Sequence, residues 1–242
     1  MSSERKLVIA IDGPAGAGKS TIASRIARRL GYVNIESGAM YRALALKAIE
    51  SDVGFEDEAG LVELAEKSHI DLEPTIDGNR VLLDAQNVSG RIRERDVTEA
   101  ASKVSVHPKV REWMVARQRE MGTRGGIVME GRDIGTKVFP NADVKIFLDA
   151  DPSVRGDRRF RQQGEGGDAN KAEALVAELR ERDHRDRTRA TSPLVAAQDA
   201  VVIDSTNLSI EDVLERVESS VKAAQQKQEA GGRRLEAGST DS

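Results

Sequence analysis

Residues 7–20 read LVIAIDGPAGAGKS, and this stretch decides the fold. Its first part, residues 7–11, is a short apolar run rich in β-branched side chains, which predicts a buried strand. Its second part, residues 13–20, fits the pattern G-x-x-x-x-G-K-[ST], and a helical pattern begins at Lys19. The glycines let the backbone curl so that successive N–H groups point inward, at the positive end of the following helix. The stretch therefore predicts a strand, a phosphate-binding loop and a helix.

Two side chains at the end of this loop suit a nucleoside triphosphate. Lys19 would reach the β- and γ-phosphates, and the hydroxyl of Ser20 would ligate Mg²⁺. A glycine-rich turn that binds nothing is the alternative, and the strand–loop–helix context weighs against it. We therefore assign the phosphates of a nucleotide to the loop and the residue after it: Gly13, Pro14, Ala15, Gly16, Ala17, Gly18, Lys19, Ser20 and Thr21.

A loop of this type indicates nucleotide binding but does not by itself indicate a kinase. A regulatory GTPase is the main alternative from another functional class. Such proteins carry the element Asn-Lys-x-Asp late in the chain, and this sequence contains no such tetrapeptide. Its absence counts against a GTP switch and leaves adenine-specific proteins open.

Strand and helix patterns alternate along the rest of the chain. The helix that starts at Lys19 carries Ile22, Ile26 and Leu30 on one face and stops at Gly31. Further strands are predicted at residues 32–35, 126–129, 144–148 and 200–203, and further helices at 39–49 and 210–221. This alternation predicts an α/β fold, with a parallel sheet covered by helices on both faces.

Two regions interrupt the alternation. Residues 70–88 carry short strand-like pieces around the turn signals at 77–79 and 84–87, which predicts a small antiparallel insert. Residues 155–189 are dense in arginine and predict two charged helices around a mobile loop at 164–168. The end of the chain, from about Ala230, is rich in glycine and serine and predicts a disordered tail.

The composition narrows the classes of function. The 242 residues carry a formal net charge of −4, which argues against a nucleic-acid binder, because phosphate contacts demand a basic surface. The chain has no cysteine, so disulfides, thiol nucleophiles and zinc–thiolate sites are absent. No apolar run is long enough for a signal peptide or a membrane span, and we expect a cytoplasmic protein without a membrane partner.

Three further segments carry side chains suited to a second phosphorylated ligand. Residues 37–42, SGAMYR, place a serine, a tyrosine and an arginine at the mouth of a helix. Residues 130–133, EGRD, end an apolar strand in an acid of the kind that organises Mg²⁺ beside such loops. Residues 182–189, RDHRDRTR, gather guanidinium groups among carboxylates. The sequence thus predicts an acceptor site for a small phosphate monoester.

With these segments in place, the sequence resembles the bacterial cytidylate kinases, which are nucleoside monophosphate kinases of the P-loop class. The resemblance covers residues 9–211 and is carried in order by SGAMYR at 37–42, GRDIGT at 131–136, VFP at 138–140, VKIFLDA at 144–150, RDHRDR at 182–187 and DST at 204–206. It implies the reaction ATP + CMP ⇌ ADP + CDP, with dCMP as a further acceptor, in pyrimidine nucleotide synthesis. It also implies an enlarged monophosphate-binding insert, which residues 70–88 fit.

The resemblance assigns roles to individual residues. For the base and sugar, it assigns the cytosine edge to Ser102, Arg111 and Asp133, and the ribose hydroxyls to Arg182 and Asp186. Around the monophosphate it places Ser37, Tyr41, Arg42, Arg132 and Arg189. For transfer it implies Lys19, Arg132, Asp133, Arg189 and two lid arginines, Arg155 and Arg159, with Mg²⁺ held by Ser20 directly and by Glu130 through water. Ser20, Glu36 and Glu130 are departures, because some relatives have glycine or aspartate at these positions.

Other interpretations stay open at this point. Arginine clusters are more often solvated, ion-paired faces than ligand clamps, so we expect Arg158 and Arg161 at the surface. The acceptor could also be UMP or AMP, or a small metabolite of the shikimate or gluconate type. A nucleotide sensor without catalytic activity is the alternative outside enzymology.

For the domain organisation we expect one P-loop kinase domain over residues 1–229, acting as a monomer. Its core takes roughly residues 5–66, 104–152 and 190–227. The monophosphate-binding insert, of mixed α and β structure, takes roughly 67–103, and the helical lid roughly 153–189. Residues 230–242 form the predicted tail.

Overall fold

The structure is a computed structural model that describes residues 5–75, 78–162 and 169–238. The strands are β1 (Val8–Asp12), β2 (Val33–Glu36), β3 (Ile70–Thr75), β4 (Gly78–Leu83), β5 (Gln86–Asn87), β6 (Ile127–Gly131), β7 (Val144–Asp149) and β8 (Val201–Asp204). The helices are α1 (Lys19–Leu30), α2 (Ser37–Glu50), α3 (Glu58–Lys67), α4 (Arg95–Val104), α5 (Pro108–Gly122), α6 (Pro152–Gln162), α7 (Ala169–Thr188) and α8 (Ile210–Gly238). A 3₁₀ turn lies at Arg91–Arg93 and a π-helical turn at Ile134–Val138.

The central sheet has five strands in the order β2-β6-β1-β7-β8, and each neighbouring pair is parallel. The predicted parallel sheet is therefore confirmed. β1 lies in the middle, where Ile9 pairs with Val128 of β6 on one side and with Val144 of β7 on the other. Because all five strands run the same way, their carboxyl ends meet at one edge, which is where ligands bind in open sheets of this kind.

Helices cover both faces of the sheet, as the sequence predicts. Successive side chains of a strand point to opposite faces, so Ile9 and Ile11 pack with α1 and α8 while Ala10 faces the other way. On that second face, residues of the π-helical turn and of α5 pack against Ala10 and Met129. Among the described residues, no helix combines the length and the apolar content needed to cross a membrane.

The predicted insert is a separate antiparallel sheet in the order β3-β4-β5. Asp84 and Ala85 turn the chain between β4 and β5 with φ angles of 49° and 67°. The buried side chains of this sheet, such as Val81 and Leu83, share a hydrophobic cluster with α2, α3, α4 and α5. The insert therefore packs on helices that follow β2 in the chain. The limits of the core, insert and lid given in the sequence analysis stay a prediction.

Several boundaries differ from the prediction. α2 begins at Ser37 and not at Ala39, because the chain is still extended at Glu36 and turns helical directly after it. The last helix continues past Val221 and past the predicted boundary at Ala230, to Gly238. Residues 222–230 are mostly alanine, lysine, glutamine and glutamate, which favour helix without an apolar stripe. The predicted loop at 164–168 and the last four residues of the predicted tail lie outside the described residues.

Candidate active site

A cavity of about 1010 Å³ lies at the carboxyl edge of the central sheet. The loop after β1, the start of α2, the end of β6 and helices α6 and α7 line it. The predicted site residues that line it are Ala15, Gly16, Ala17, Gly18, Lys19, Ser20, Thr21, Ser37, Tyr41, Arg42, Arg111, Glu130, Arg132, Asp133, Arg159, Arg182, Asp186 and Arg189. Four other predicted residues lie outside the lining of this cavity: Gly13, Pro14, Ser102 and Arg155.

The phosphate loop has a backbone that requires glycine. Gly13 has a φ angle of 149°, and a Cβ atom there would lie 1.9 Å from the carbonyl oxygen of Leu148 on β7. Gly16 and Gly18 have φ angles of 76° and 96°, which side-chain-bearing residues rarely adopt. Gly18 is also the N-cap of α1 and has no side chain to satisfy the first N–H groups of that helix. These N–H groups are therefore available to an anion.

Lys19 lies buried at the base of the loop. Its Nζ donates a hydrogen bond to the carbonyl oxygen of Pro14 at 2.7 Å. Burial, followed by the charge of Arg132, lowers the pKa of Lys19 to about 7. A phosphate group in the loop would favour the charged ammonium again, because a nearby opposite charge stabilises it. Lys19 is thus placed where a bound phosphate chain would determine its charge.

Glu130 is a buried acid at the end of β6, beside the phosphate loop. The Ser20 side chain hydrogen-bonds its carboxylate, whereas the Oε1 atom has no hydrogen-bond partner among the described residues. Burial, and then the charge of Glu36, raises the pKa of Glu130 to about 7. A carboxylate oxygen without a partner and an adjacent hydroxyl are hard oxygen ligands of the kind that Mg²⁺ prefers.

Ser20 and Glu130 therefore fit the predicted ion. In the part of the chain that the structure describes, no group of three acidic or histidine side chains forms a complete metal cage. Phosphate oxygens or water would have to complete the coordination, as is usual for Mg²⁺ in phosphoryl-transfer sites.

The start of α2 brings three predicted residues to the cavity. The Ser37 hydroxyl donates to the carbonyl oxygen of Glu130 at 2.7 Å. Arg42 pairs with Glu36 at 2.5 Å. Burial opposes the charge of Glu36, but the guanidinium of Arg42 outweighs it and lowers the pKa of Glu36. A hydroxyl and a guanidinium therefore line the cavity from roughly the first one and a half turns of the helix.

A second group of cations comes from α7 and from the segments that follow β6 and α7, and Asp186 of α7 lies among them. Arg132 Nε lies 2.9 Å from Asp186 Oδ2, and Arg189 NH1 lies 3.6 Å from Asp186 Oδ1. Arg182 is buried beside them, and burial followed by the charge of Arg132 lowers its pKa to about 10. Positive groups that repel one another in a dry pocket are stabilised by an anionic ligand. The cluster is therefore suited to a phosphate monoester.

Other buried polar side chains come from α2, α4, α5 and the segment after β6. Arg111 of α5 is buried, with NH2 2.5 Å from Asp133 Oδ2 and NH1 3.0 Å from the carbonyl oxygen of Ser105. Its Cζ atom lies 5.5 Å from the ring centre of Tyr41, and burial raises the pKa of Tyr41 to about 12. Ser102, on α4, has a buried hydroxyl with no partner among the described residues. A buried acid and a guanidinium thus line the cavity together, and a buried hydroxyl without a partner lies outside the lining, on the preceding helix.

The comparisons with known proteins agree with this arrangement. A family model described as cytidylate kinase matches residues 9–223, which is most of the chain. The chain belongs to the cytidylate kinase family. The match includes the phosphate loop and all three acceptor segments.

Individual members of this family are similar to the chain at their full length. It is 45% identical to the cytidylate kinase of Pasteurella multocida, over 90% of this chain and 96% of that protein. It is 50% identical to the cytidylate kinase of Geobacillus kaustophilus, over 88% and 96%, and 48% identical to that of Enterococcus faecalis, over 90% and 96%. Among solved structures, it is similar to a shikimate kinase from Acinetobacter baumannii, with a TM-score of 0.43 and 15% identity over 91% of this chain and 95% of that one.

Two arginines of this cytidylate kinase homologue lie elsewhere than predicted. Arg155 was expected over the transferring phosphoryl group, but its side chain is buried against the protein, away from the cavity lining. Arg158 was expected at the surface, but it lines the cavity and donates to the carbonyl oxygen and the hydroxyl of Ser205 at 2.7 and 3.2 Å. Residues 155, 158 and 159 share one face of α6, and the sequence does not show which of them is buried against the phosphate loop and which reaches the cavity.

Asp12 is a site residue that the sequence reasoning missed. It ends β1 and accepts hydrogen bonds from the backbone N–H groups of Ile134 and Gly135 at 2.8 and 2.7 Å. Burial raises its pKa to about 6. Asp12 therefore ties the phosphate loop to the loop that carries Arg132 and Asp133. The sequence does carry a signal for Asp12, because Asp12 ends an apolar strand in the same way as Glu130, which this pattern identifies.

Proposed function

We propose that this chain transfers the γ-phosphoryl group of ATP to CMP, and to dCMP, giving ADP and the cytidine diphosphate. Membership of the cytidylate kinase family supports ATP as the donor. The observation that carries the acceptor is the buried pairing of Arg111 with Asp133, beside the spare hydroxyl of Ser102. Arg111 and Asp133 line the same cavity as the phosphate loop and the arginine cluster, and Ser102 lies outside this lining.

The cytosine edge fits this polar group. Cytosine offers an amino donor, which suits the Asp133 carboxylate, and its ring nitrogen and carbonyl oxygen accept from a guanidinium or a hydroxyl. Arg111 and Ser102 supply such donors. Uracil presents a carbonyl oxygen where cytosine has its amino group, so the carboxylate of Asp133 would face an acceptor and disfavour UMP.

Transfer needs no nucleophile from the protein, because the acceptor is already an anionic phosphate oxygen. That oxygen attacks the γ-phosphorus in line, and the bond from the γ-phosphorus to the β,γ-bridging oxygen breaks. The chain contributes alignment and positive charge, from Lys19 and the loop N–H groups on the donor side and from Arg42, Arg132 and Arg189 on the acceptor side. Arg182 and Asp186 suit the ribose, and Arg159 suits the phosphoryl group from the lid.

Ser20 and Glu130 would hold Mg²⁺, which neutralises phosphate charge when bound. Glu130 is longer than the aspartate that some relatives have at this position, and the pKa of its carboxyl group is raised. Both features imply that a cation and a proton compete for this carboxylate. The Ser37 hydroxyl fixes the backbone of Glu130 at 2.7 Å, so the acceptor site and the ion site share one strand end.

Direct transfer between two substrates in one cavity needs no second subunit, and we propose that the enzyme acts as a monomer. The insert at roughly 67–103 and the lid at roughly 153–189 would close over the two substrates and exclude water. A cytoplasmic location is kept with this proposal, because a chain without cysteine forms no disulfide that would need an oxidising compartment.

The test is a coupled assay of ADP release with Mg-ATP and each of CMP, dCMP, UMP, AMP and GMP. Turnover with CMP and dCMP well above the others is the expected result. Turnover with another base would still support a nucleoside monophosphate kinase, but it would contradict the roles proposed for Ser102, Arg111 and Asp133. ATP binding without turnover of any acceptor would instead favour a nucleotide sensor.

A further inference from the structure

Arg155 on α6 is one of the most buried large side chains in the described part of the chain, at 1% exposure. Its guanidinium contacts three different segments. Nε donates to the carbonyl oxygen of Ala150 and NH1 donates to the carbonyl oxygen of Ala15, both at 2.8 Å, and NH2 is hydrogen-bonded to Asp183 Oδ2. The contact with Ala150 is local, whereas the other two join parts of the chain far apart in sequence.

The two distant partners belong to opposite sides of the reaction. Ala15 lies in the phosphate loop, and the backbone of its neighbour Gly16 is so close that a Cβ there would lie 3.2 Å from Arg155 Cβ. Asp183 lies on α7, directly after Arg182 and three residues before Asp186. One guanidinium therefore connects the loop proposed for ATP with the helix that carries residues proposed for CMP.

We propose that Arg155 is a positioning residue for phosphoryl transfer: it fixes the distance between the phosphate loop and α7 and does not touch either substrate. This inference rests on the proposed function, because it concerns the alignment of the ATP and CMP sites. In-line transfer is sensitive to such alignment, and a misplacement of about 1 Å can cost a factor of roughly a hundred in rate. Each substrate would still bind to its own half of the site.

The chemistry of the contact requires arginine. A guanidinium is a planar fork with five N–H groups and can reach three acceptors at once, whereas a lysine ammonium is a point charge at the end of a flexible stem. Asp183 is itself buried, at 8% exposure, so an unpaired carboxylate there would be costly. Removal of Arg155 alone therefore risks unfolding, and the test needs variants that avoid an isolated buried charge.

Two variants break the connection in different ways. Arg155→Lys keeps a positive charge for Asp183 but cannot hold all three acceptors. The double variant Arg155→Met/Asp183→Leu removes both charges and keeps the volume apolar, a replacement that buried ion pairs often tolerate. Asp183→Asn keeps an oxygen acceptor for Arg155 and serves as the conservative partner. Arg185→Lys is the control, because Arg185 lies on the same helix and its pairing with Glu181, at 3.8 Å, is local to that helix.

The measurements on the full-length protein are kcat with Mg-ATP and CMP, the Kd of each substrate alone by calorimetry, and the Tm. We expect kcat to fall about tenfold or more in Arg155→Lys and in the double variant, with each Kd within threefold of wild type. The kcat of Asp183→Asn should fall less than that of either variant, and the kcat of Arg185→Lys should match that of wild type. A structural role alone would lower Tm without this separation of kcat from binding.

Two results would overturn the inference. A kcat within threefold of wild type in every folded variant would show that the connection does not serve transfer. A loss of ATP affinity in Arg155→Lys as large as its loss of kcat, with normal ATP affinity in Asp183→Asn, would show that Arg155 contacts the nucleotide. The wild-type protein in the same assay tests the proposed function separately, because its turnover of CMP does not depend on the result for any variant.

Discussion

The donor and acceptor sides of the cavity are built from different parts of the chain. The donor side is one continuous segment, where backbone N–H groups and a single buried amine, that of Lys19, surround the place for phosphate. The acceptor side takes Tyr41 from α2, Arg111 from α5, Asp133 from the end of β6 and Asp186 from α7. The donor side therefore depends on backbone shape, and the acceptor side depends on side chains paired across elements.

This difference explains what each side tolerates. The shape of the loop comes from its glycine φ angles, and Arg155 anchors it at Ala15, so the substitution of one loop side chain changes few contacts. The acceptor side contains a network in which Asp133 pairs with Arg111 and lies 3.9 Å from Arg189, which in turn lies 3.6 Å from Asp186. Removal of one member leaves buried charges without partners, so effects there should be larger on binding than the lost contact alone suggests.

The largest effect is expected on the donor side, from Lys19→Ala. Loss of the amine removes the one buried cation of the loop, and we expect kcat to fall by about 10²–10³, the cost of losing one preorganised transition-state contact. The Kd of CMP measured alone should stay near that of wild type, because the acceptor network is intact. Near-normal turnover in a folded Lys19→Ala protein would contradict the phosphate-loop assignment.

On the acceptor side, Asp133→Ala should weaken CMP much more than ATP. The cytosine amino group would lose the carboxylate proposed to accept from it in a buried site, which typically costs about 2 kcal/mol or more in binding, a factor of roughly thirty. The measurement is the Kd of each nucleotide alone by calorimetry, with Asp133→Asn as the control that keeps one oxygen acceptor. Equal losses for ATP and CMP would mean that Asp133 organises the metal ion and not the base.

The same comparison explains how far the sequence could predict this protein. The phosphate loop, the parallel sheet and the antiparallel insert were predictable, because each depends on a local pattern of glycines, apolar runs or turn residues. The arginine-rich lid was harder, since Arg155, Arg158 and Arg159 share one helix face, yet Arg155 is buried while the other two line the cavity. Only the fold shows that Arg155 meets Ala15 from 140 positions away in the chain. Asp12 itself could have been singled out as the acid that ends an apolar strand, but its partners could not, because the N–H groups of Ile134 and Gly135 lie 122 and 123 positions away in the chain.

Glu130, which lies between the two sides, should leave a signature in the pH dependence of stability. Its folded pKa of about 7 lies above the ordinary value of 4.5 for a glutamate, so between these values the folded protein holds a proton that the unfolded chain loses. Its contribution to stability is present at low pH and is lost as pH rises towards 7. Glutamine resembles the protonated acid, so we expect the Tm of ligand-free Glu130→Gln to exceed that of wild type by a margin that grows from pH 5 to pH 8. A constant margin across that range would show that the carboxylate is charged throughout.

The smallest effect is expected where the insert meets the central sheet. Asn79 of β4 donates to the carbonyl oxygen of Asn34 at 2.8 Å and accepts from the N–H of Glu36 at 3.2 Å, so it occupies the free edge of β2 directly before Ser37. Asn79→Ala removes both hydrogen bonds, each worth about 1 kcal/mol, and should lower Tm by a few degrees.

Asn79→Ala should also raise the KM for CMP several-fold and leave the KM for ATP unchanged, because Glu36 and Ser37 belong to the acceptor side. Asn87→Ala is the matched control, since the side chain of Asn87 on β5 bonds only with Ser89 of the same insert among its described hydrogen bonds. If both variants raise the KM for CMP alike, the insert acts through its own stability. If only Asn79→Ala does so, the acceptor side extends through this side chain into the insert, while the donor side remains a single loop.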